Sequence, residues 1–339
     1  MKVLVTGGLG FIGSAVVRSL VNSGDEVINI DKVSYASTFE SVKSVSSKSN
    51  YLFEKVDITD EKEVTKVFET HAPDAVMHLA AESHVDRSID GPGAFIESNV
   101  LGTFNMLEAS RRHSVSRFHH ISTDEVFGSL ASSDAPFTEE SPYMPRSPYS
   151  ASKAASDHLV RSWGETYDMP VVVTNCSNNY GPYQFPEKLI PITILRSLAR
   201  EPIAVYGKGD NVRDWLHVED HADALCTVLR SGELHETYLV GGNNEVSNID
   251  LVKQICTLVD EIEPSASDSE SRIEFVADRP GHDQRYAIDA SKIETELGWK
   301  PKTDLASGLR STVEWYLANA EWWKPLVNKG AIERVGTLK

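Results

Sequence analysis

Residues 2–13 read KVLVTGGLGFIG, a short apolar run followed by a glycine-rich turn and a further apolar segment. Gly8, Gly10 and Gly13 have the spacing G-x-G-x-x-G, after a predicted strand at residues 2–6 and before a predicted helix at residues 11–23. Such glycines permit a tight turn, let a pyrophosphate approach the backbone and let the helix pack on the strand, while the helix N-terminus supplies amides and a positive dipole end. The stretch therefore predicts a dinucleotide-binding unit.

The next apolar run, EVINID, ends at Asp31, at about the 20-residue distance expected for the acidic residue that accepts the ribose hydroxyls of a dinucleotide. A carboxylate at this position also repels a 2′-phosphate. The sequence therefore predicts NAD rather than NADP, although the neighbouring Lys32 weakens the repulsion. The alternative is that the glycines only cap a helix and that Asp31 is a surface loop residue.

Further apolar runs alternate with helical patterns along the first half of the chain. The runs end near Asp57, Ala80, Thr123 and Asn175, and the helical patterns occupy residues 61–71, 99–113 and 150–167. Strands that alternate with helices indicate parallel βαβ units. We therefore predict an α/β fold with a Rossmann-type doubly wound parallel sheet.

The pattern changes after Asn175, where prolines and aromatic residues become frequent. Helical patterns follow at residues 186–200, 219–230, 247–262, 289–297 and 305–319, and a serine-rich segment at 264–272 is predicted to be an exposed loop. We predict a smaller mixed α/β C-terminal substrate domain. The predicted division is residues 1–176 plus about 212–242 for the nucleotide-binding domain, about 177–211 and 243–328 for the substrate domain, and 329–339 for a tail.

The composition is that of an acidic globular protein. The 339 residues include 33 Lys and Arg against 50 Asp and Glu, a net charge of −17, which disfavours nucleic acid and anionic membranes as partners. No apolar stretch is long enough for a membrane span or a signal peptide, so we expect a cytoplasmic protein. Cys176, Cys226 and Cys256 are widely spaced in apolar runs, so we expect buried thiols, no disulfide and no metal site.

Residues 149–153, YSASK, place the Tyr149 phenol and the Lys153 ammonium four residues apart, on one face of a predicted helix. A nearby cation favours the phenolate, so Tyr149 could take a proton from a sugar or alcohol hydroxyl. The preceding strand ends at the hydroxyl of Thr123. The glycine turn, Asp31, the segment Leu79-Ala80-Ala81 and this Tyr-x-x-x-Lys pair, in this order, resemble the extended short-chain dehydrogenase/reductase superfamily.

Two adjacent carboxylates, Asp124 and Glu125, follow Thr123, where epimerases of this superfamily usually have small or apolar residues. In isolation they would be solvated surface charge, but beside a nicotinamide an acid and a base can eliminate water from a hexose. The longer motifs resemble the family of dTDP-glucose 4,6-dehydratases: AAESHVDRS at 80–88, STDEVFG at 122–128, NCSNNYGP at 175–182, FPEKLIP at 185–191 and DRPGHD at 278–283. Residues 37–39 and a short C-terminal tail depart from the family pattern.

This resemblance implies a reaction and a set of site residues. Tyr149, helped by Lys153 and Thr123, would deprotonate the C4 hydroxyl of dTDP-glucose during oxidation by NAD, Glu125 would remove the C5 proton, and Asp124 would protonate the departing C6 hydroxyl. The residues expected at the cofactor are Gly7, Gly10, Phe11, Ile12, Gly13, Asp31, Lys32, Ser34, Asp57, Ile58, Leu79, Ala80, Ala81, Ser83, Ser98, Tyr149, Lys153 and Asn179. Those expected at the substrate are Ser83, His84, Thr123, Asn178, Glu187, Lys188, Leu189, Val205, Tyr206, Arg213, Asn248, Arg279 and His282.

Several alternatives remain open at this stage. Arg213, expected at the substrate diphosphate, could instead form a surface ion pair with a neighbouring aspartate. The resemblance implies a homodimer formed by the helices at 99–113 and 150–167, whose apolar residues could instead be plain core. A UDP-sugar 4-epimerase, a nucleotide-sugar decarboxylase and a dehydratase of a CDP-, GDP- or UDP-hexose are the competing enzymes, and an NAD-binding sensor or scaffold is the non-enzymatic alternative.

Overall fold

A seven-stranded parallel sheet forms the centre of the molecule in the computed structural model, which describes residues 1–327. Its strand order is β10-β6-β5-β4-β1-β2-β3. The strands are β1 (Lys2–Thr6), β2 (Glu26–Asp31), β3 (Tyr51–Lys55), β4 (Ala75–His78), β5 (Arg117–Thr123), β6 (Val171–Cys176) and β10 (Thr237–Val240). Because β1 pairs with both β2 and β4, the order reverses there, and a crevice opens at the carboxyl ends of these strands. The predicted Rossmann-type doubly wound sheet is confirmed.

Helices cover both faces of this sheet, so its central strands β4, β5 and β6 are buried along nearly their whole length. On β1, the side chains of Val3 and Val5 pack with α1 and α8, whereas Leu4 between them packs with α2, α5 and α6 on the other face. The covering helices are α1 (Phe11–Asn22), α2 (Glu61–His71), α3 (Val85–Asp90), α4 (Pro92–Phe95), α5 (Gly102–Arg112), α6 (Pro148–Tyr167) and α8 (Val218–Ser231). A π-helical segment, Ile96–Leu101, joins α4 to α5. The helices expected at 61–71, 99–113, 150–167 and 219–230 are thus present.

A second core, centred on Tyr180, Trp215 and Tyr316, is built from most of the remaining elements. The strands here are β7 (Asn178–Tyr180), β8 (Ile203–Tyr206), β9 (Val212–His217), β11 (Glu245–Ser247) and β12 (Ile273–Val276). They form a three-stranded sheet, β11-β9-β7, and a parallel pair, β12-β8. The helices are α7 (Leu189–Ala199), α9 (Asn248–Ile262), α11 (Leu305–Ala318) and α12 (Ala320–Val327). Helix α10 (Ser291–Leu297) instead packs against α8 and β10, at the edge of the seven-stranded sheet.

Three details of this region differ from the sequence-based expectations. Strand β9 was assigned to the nucleotide-binding domain, but β10 takes the free edge of β6, so β9 pairs with β7 and β11 instead. The helix expected from residue 186 begins at Leu189. The segment 264–272 is not wholly exposed, because Ala266 is buried in the second core and the buried Ser269 hydroxyl donates to Asp260. The domain boundaries themselves stay a prediction, and the predicted tail at 329–339 lies outside the described residues.

Cys176, Cys226 and Cys256 are buried free thiols, as expected. Within residues 1–327, no helix has both the length and the apolar character that crossing a membrane requires.

Candidate active site

A deep cleft opens at the carboxyl ends of the parallel strands, at the point where the strand order reverses. Most of the residues predicted from the sequence line it: Gly7, Gly10, Phe11, Ile12, Gly13, Asp31, Lys32, Ser34, Ile58, Leu79, Ala80, Ala81, Ser83, Ser98, Thr123, Asp124, Glu125, Tyr149, Lys153, Asn178, Asn179, Glu187 and Lys188. The fold therefore brings together segments that are up to 181 residues apart, from Gly7 to Lys188.

The glycine turn has the geometry that a bound pyrophosphate requires. Gly7 has φ +71°, and a Cβ on Gly13 would lie 2.2 Å from the Gly7 carbonyl oxygen, so side chains are excluded from both positions. Gly10 caps α1 and no side chain hydrogen-bonds this helix N-terminus. The first amides of α1 thus remain available to an anion, and the residues present fit a dinucleotide phosphate.

Asp31 is 7% exposed and ends β2 at the cleft, which rules out the alternative of a surface loop residue. Its carboxylate accepts hydrogen bonds from the backbone amides of Leu9 and Val33, at 3.1 and 2.8 Å, and from the Ser37 hydroxyl at 2.8 Å. These donors hold the negative charge beside the glycine turn. The neighbouring Lys32 forms an ion pair with Glu82, with 2.8 Å between Nζ and Oε1, so its charge is already partnered. Both observations favour a cofactor without a 2′-phosphate.

Helix α6 carries the tyrosine and the lysine. Pro148 occupies its first position, and the side chains of Ser147 and Ser150 form a capping box that fixes where the helix begins. Lys153 is buried and its Nζ donates to the carbonyl oxygen of Ile121 on β5 at 2.8 Å. Tyr149 is buried on the same helix face and hydrogen-bonds the Thr123 side chain.

The pKa of Tyr149 runs against the expectation that Lys153 promotes its phenolate. Burial, and then the Glu125 carboxylate, raise the pKa of Tyr149 well above its ordinary value, and the hydrogen bond with Thr123 does not offset them. The neutral phenol is therefore favoured, because burial and the facing carboxylates both act against the phenolate.

Asp124 and Glu125 form the first turn of a short 3₁₀ helix, Asp124–Phe127, which the Thr123 hydroxyl caps by accepting from the Glu125 amide at 3.2 Å. Burial, and then the Glu125 charge, raise the pKa of Asp124 well above the ordinary value of a carboxyl group. Burial also raises the pKa of Glu125, but the positive charges of Arg279, Lys188 and Arg213 act in the opposite direction. Asp124 is thus the carboxyl group whose protonated form is favoured. Glu125 is the one whose ionised form the cations favour, and it is therefore suited to act as the base.

Two of the three cations near Glu125, the arginines, are held by specific contacts. Arg279 donates to Asp86, with 2.7 Å between Nη1 and Oδ1, and Tyr206 donates to the other oxygen of Asp86 at 2.8 Å. Arg213 is buried over the ring of Tyr286, at 4.2 Å from the ring centroid, and donates to the carbonyl oxygens of Val212 and Asp283. The alternative of a surface ion pair for Arg213 is therefore wrong.

Nine predicted residues do not line the cleft itself: Asp57, His84, Leu189, Val205, Tyr206, Arg213, Asn248, Arg279 and His282. The Asp57 carboxylate accepts from the amide and hydroxyl of Thr59, so it stabilises the loop after β3. His84 caps α3, and burial lowers its pKa to about 3. His282 bonds Asp278, with 2.7 Å between Nδ1 and Oδ1, while Leu189 and Asn248 begin α7 and α9. Val205 is buried on β8.

The sequence reasoning missed a contact that closes one side of the cleft. Tyr35 donates to Glu187 at 2.9 Å, although 152 residues separate them. Arg87 donates to the other carboxylate oxygen of Glu187 at 3.2 Å, and its guanidinium lies 4.2 Å from the centroid of the Tyr35 ring. An exposed tyrosine only four residues after Asp31 was the available signal, because loops that follow the β2 position of a Rossmann unit border the cofactor.

Comparisons with known proteins agree with this geometry. The sequence model of the GDP-mannose 4,6 dehydratase family matches residues 4–312. The dTDP-glucose 4,6-dehydratase of Salmonella typhimurium is 57% identical over 340 residues, covering 95% of this chain and 94% of that protein, and that of Neisseria meningitidis serogroup B is 56% identical with 100% and 99% covered.

The crystal structure of the Streptomyces venezuelae dTDP-glucose 4,6-dehydratase, solved with NAD bound, superposes with a TM-score of 0.90 at 43% identity, covering 96% of this chain and 100% of that one. Identity of this extent, together with the paired carboxylates, the Tyr-x-x-x-Lys helix and the glycine turn in one cleft, identifies the chain as a member of the dTDP-glucose 4,6-dehydratase family.

Proposed function

We propose that this protein is an NAD-dependent hydro-lyase that converts dTDP-glucose to dTDP-4-keto-6-deoxyglucose and water. The observation that carries the proposal is the pair Asp124 and Glu125, adjacent carboxyl groups at the nicotinamide end of a dinucleotide cleft, both with raised pKa values and only one of them surrounded by cations. Elimination of water from a hexose needs one acid and one base, and environments that separate two pKa values assign these roles.

The first role belongs to Tyr149. Its phenol lies beside Thr123, and we assign it the proton of the substrate's C4 hydroxyl. Bound NAD⁺ supplies a hydride acceptor for C4, a positive charge in the cleft and, once reduced, the hydride for C6. Lys153, anchored to the Ile121 carbonyl, contributes a fixed positive charge on the same helix face as the tyrosine.

The carboxyl pair then performs the elimination. A C4 ketone acidifies the C5 proton, which Glu125 removes, and Asp124 donates its proton to the departing C6 hydroxyl. Asp124 fits the acid role because its Oδ2 is buried and has no hydrogen-bond partner among residues 1–327. A protonated oxygen in that position can donate to a substrate hydroxyl.

The substrate diphosphate is assigned to Arg213 and Arg279. Arg213 is buried against Tyr286 and the half-buried Arg279 is held by Asp86, and a planar guanidinium can donate two parallel hydrogen bonds to phosphate oxygens. Lys188, whose Nζ donates to the Ser83 carbonyl, adds a third cation at the cleft.

The test is to incubate the protein with dTDP-glucose and NAD⁺ and to measure the mass of the nucleotide sugar. Loss of one water without net accumulation of NADH supports the proposal. Tyr149→Phe should abolish the conversion, whereas Tyr167→Phe, at the exposed end of the same helix, should retain it. An unchanged mass with formation of dTDP-galactose would instead identify an epimerase, and conversion of GDP-mannose or a CDP- or UDP-hexose but not dTDP-glucose would correct the substrate.

We also propose a homodimer. Leu107 and Val160 lie in the two predicted helices and are plain core, but Ile96, Leu101 and Phe104 are 54%, 46% and 38% exposed on the continuous helix that the π-helical segment and α5 form. Large apolar side chains exposed together on one helical surface favour an interface between two copies of the chain.

A further inference from the structure

Beneath the cleft, helix α6 carries a third polar residue that the mechanism above does not use. Asp157 follows Tyr149 and Lys153 at intervals of four residues, so the three side chains lie along one face of the helix. The side chain of Asp157 is 0% exposed, and it therefore contacts neither solvent nor the cleft. An ionised carboxylate in the interior requires a complete set of partners.

Asp157 has those partners on three different elements. Its Oδ1 bonds His120 Nε2 on β5 at 3.1 Å, and its Oδ2 accepts from Ser122 on β5 at 2.9 Å, from Tyr143 in the loop before α6 at 2.8 Å, and from Asn175 on β6 at 3.2 Å. The same Asn175 amide also donates to the Thr123 carbonyl at 3.0 Å.

This network ties α6 to consecutive residues at the end of β5. Asp157 holds the side chains of His120 and Ser122, Lys153 holds the Ile121 carbonyl, and Asn175 connects Asp157 to Thr123. Thr123 in turn caps the turn that presents Asp124 and Glu125. The helix that carries Tyr149 is thus fixed against the strand that carries the carboxyl pair.

We propose that Asp157 is a positioning residue for the dehydration: it fixes Tyr149 relative to Asp124 and Glu125, and it supplies the buried counter-charge of Lys153. The inference rests on the proposed function of Tyr149 and of the carboxyl pair. Asp157 acts through these groups and does not touch substrate.

The charges around the network are consistent with an ionised Asp157. Burial acts to raise the pKa of Asp157, but the His120 hydrogen bond, the Lys153 charge and the Ser122 hydroxyl lower it below its ordinary value. Burial lowers the pKa of His120 to about 4, so this ring is neutral. Burial lowers the pKa of Lys153, whereas the charge of Asp157 raises it, and Cys176 on β6 raises it to a smaller extent. Arg161 on α6 is a further charged group beside the network, and it donates a hydrogen bond to the Tyr143 hydroxyl.

Asp157→Asn removes the negative charge but can keep the hydrogen bonds. The amide oxygen can keep the three donors, and the amide nitrogen can donate to His120 Nε2, because Nδ1 of this ring has no partner in the described part of the chain and can carry the proton. The matched control is Asp25→Asn, which removes a largely buried carboxylate, paired with Arg230 and the N-terminus, at the opposite end of the sheet.

We expect Asp157→Asn to lower kcat for dTDP-glucose roughly tenfold to hundredfold with KM within about twofold of the wild type, because Asp157 contacts neither diphosphate arginine. Loss of the counter-charge lowers the pKa of Lys153, so the alkaline limb of kcat should move to lower pH by about one unit. Asp25→Asn should change neither. An unchanged kcat and pH profile in folded Asp157→Asn would overturn the inference.

Two further measurements test the proposal if Asp157→Asn does not fold or if the protein does not act on dTDP-glucose. Should Asp157→Asn fail to fold, Ser122→Ala and Tyr143→Phe, which each remove one donor, should lower kcat several-fold without moving the alkaline limb, and full activity in both would overturn the proposal. A carboxyl group whose pKa is lower in the folded than in the unfolded protein stabilises the fold at pH values above the unfolded pKa, which is about 3.9. This stabilisation is lost as the pH falls through the folded pKa. The stability deficit of Asp157→Asn should therefore shrink between pH 7 and pH 3, and a constant deficit would contradict an ionised Asp157 even if wild-type protein did not convert dTDP-glucose.

Discussion

Replacement of Glu125 by glutamine should separate the two halves of the proposed reaction. Glutamine has the shape of glutamate, and the bond from the residue-125 amide to the Thr123 hydroxyl does not involve the side chain, so the 3₁₀ turn should remain. The variant loses only the group assigned to remove the C5 proton. General-base assistance contributes roughly 10²-fold to 10⁴-fold, so kcat for dehydration should fall by that factor.

Oxidation at C4 should survive in this variant, for a reason visible in the structure. The Glu125 charge is the second-largest cause, after burial, of the raised pKa of Tyr149. Removal of that charge lowers the pKa of the phenol and makes its deprotonation easier. We therefore expect Glu125→Gln to accumulate reduced nicotinamide and a 4-keto hexose when it is mixed with dTDP-glucose.

The assay is a single turnover, with excess enzyme and NAD⁺, followed by reduced-nicotinamide absorbance and by the mass of the quenched sugar. Glu140→Gln, an exposed glutamate outside the cleft, is the control and should behave as wild type. Retention of full dehydration by Glu125→Gln would refute the role of the base. Loss of C4 oxidation together with dehydration would refute the division of roles between Tyr149 and Glu125.

Three other predictions follow from the site and its surroundings. Because burial and the Glu125 charge raise the pKa of Asp124 and so favour its acid form, Asp124→Asn should lower kcat for dehydration by about 10²-fold or more, and a kcat near that of the wild type would argue against the acid role. Tyr35→Phe loses the bond to Glu187 at the side of the cleft, worth about 1 kcal/mol at an exposed position, so NAD should dissociate about fivefold faster, and equal retention of nicotinamide after gel filtration would argue against a closing role. Leu101→Glu should convert a dimer to monomers in sedimentation, whereas a dimer that persists would place the interface elsewhere.

Much of the fold follows from local sequence signals. The glycine turn, the acidic end of β2 and the alternation of apolar runs with helical patterns were sufficient to predict the parallel sheet and the place of its cleft. These signals are local because a βα unit is formed by neighbouring residues. The pairing of β9 with β7 and β11 could not be predicted in the same way, because strand pairing is a competition for free edges, which depends on residues distant in the sequence.

In the candidate site, too, local signals predict some of the residues, whereas contacts between distant segments could not be predicted. Tyr149, Lys153 and the adjacent carboxyl groups could be identified from their spacing, since helix and turn geometry places them together. The contact of Tyr35 with Glu187 and the network around Asp157 join distant segments, and no short motif signals them. The direction of the Tyr149 pKa was also mispredicted, because burial and facing carboxylates, which only the folded structure reveals, dominate it.

The proposed function requires that one hydride leaves C4 and returns at C6 of the same sugar. This transfer can be followed with dTDP-glucose that carries deuterium at C4, wild-type protein, unlabelled NAD⁺ and analysis of the product by NMR. We expect a product that has lost one water and carries the deuterium at C6. Deuterium retained at C4, or released into a pool of free reduced cofactor, would contradict it.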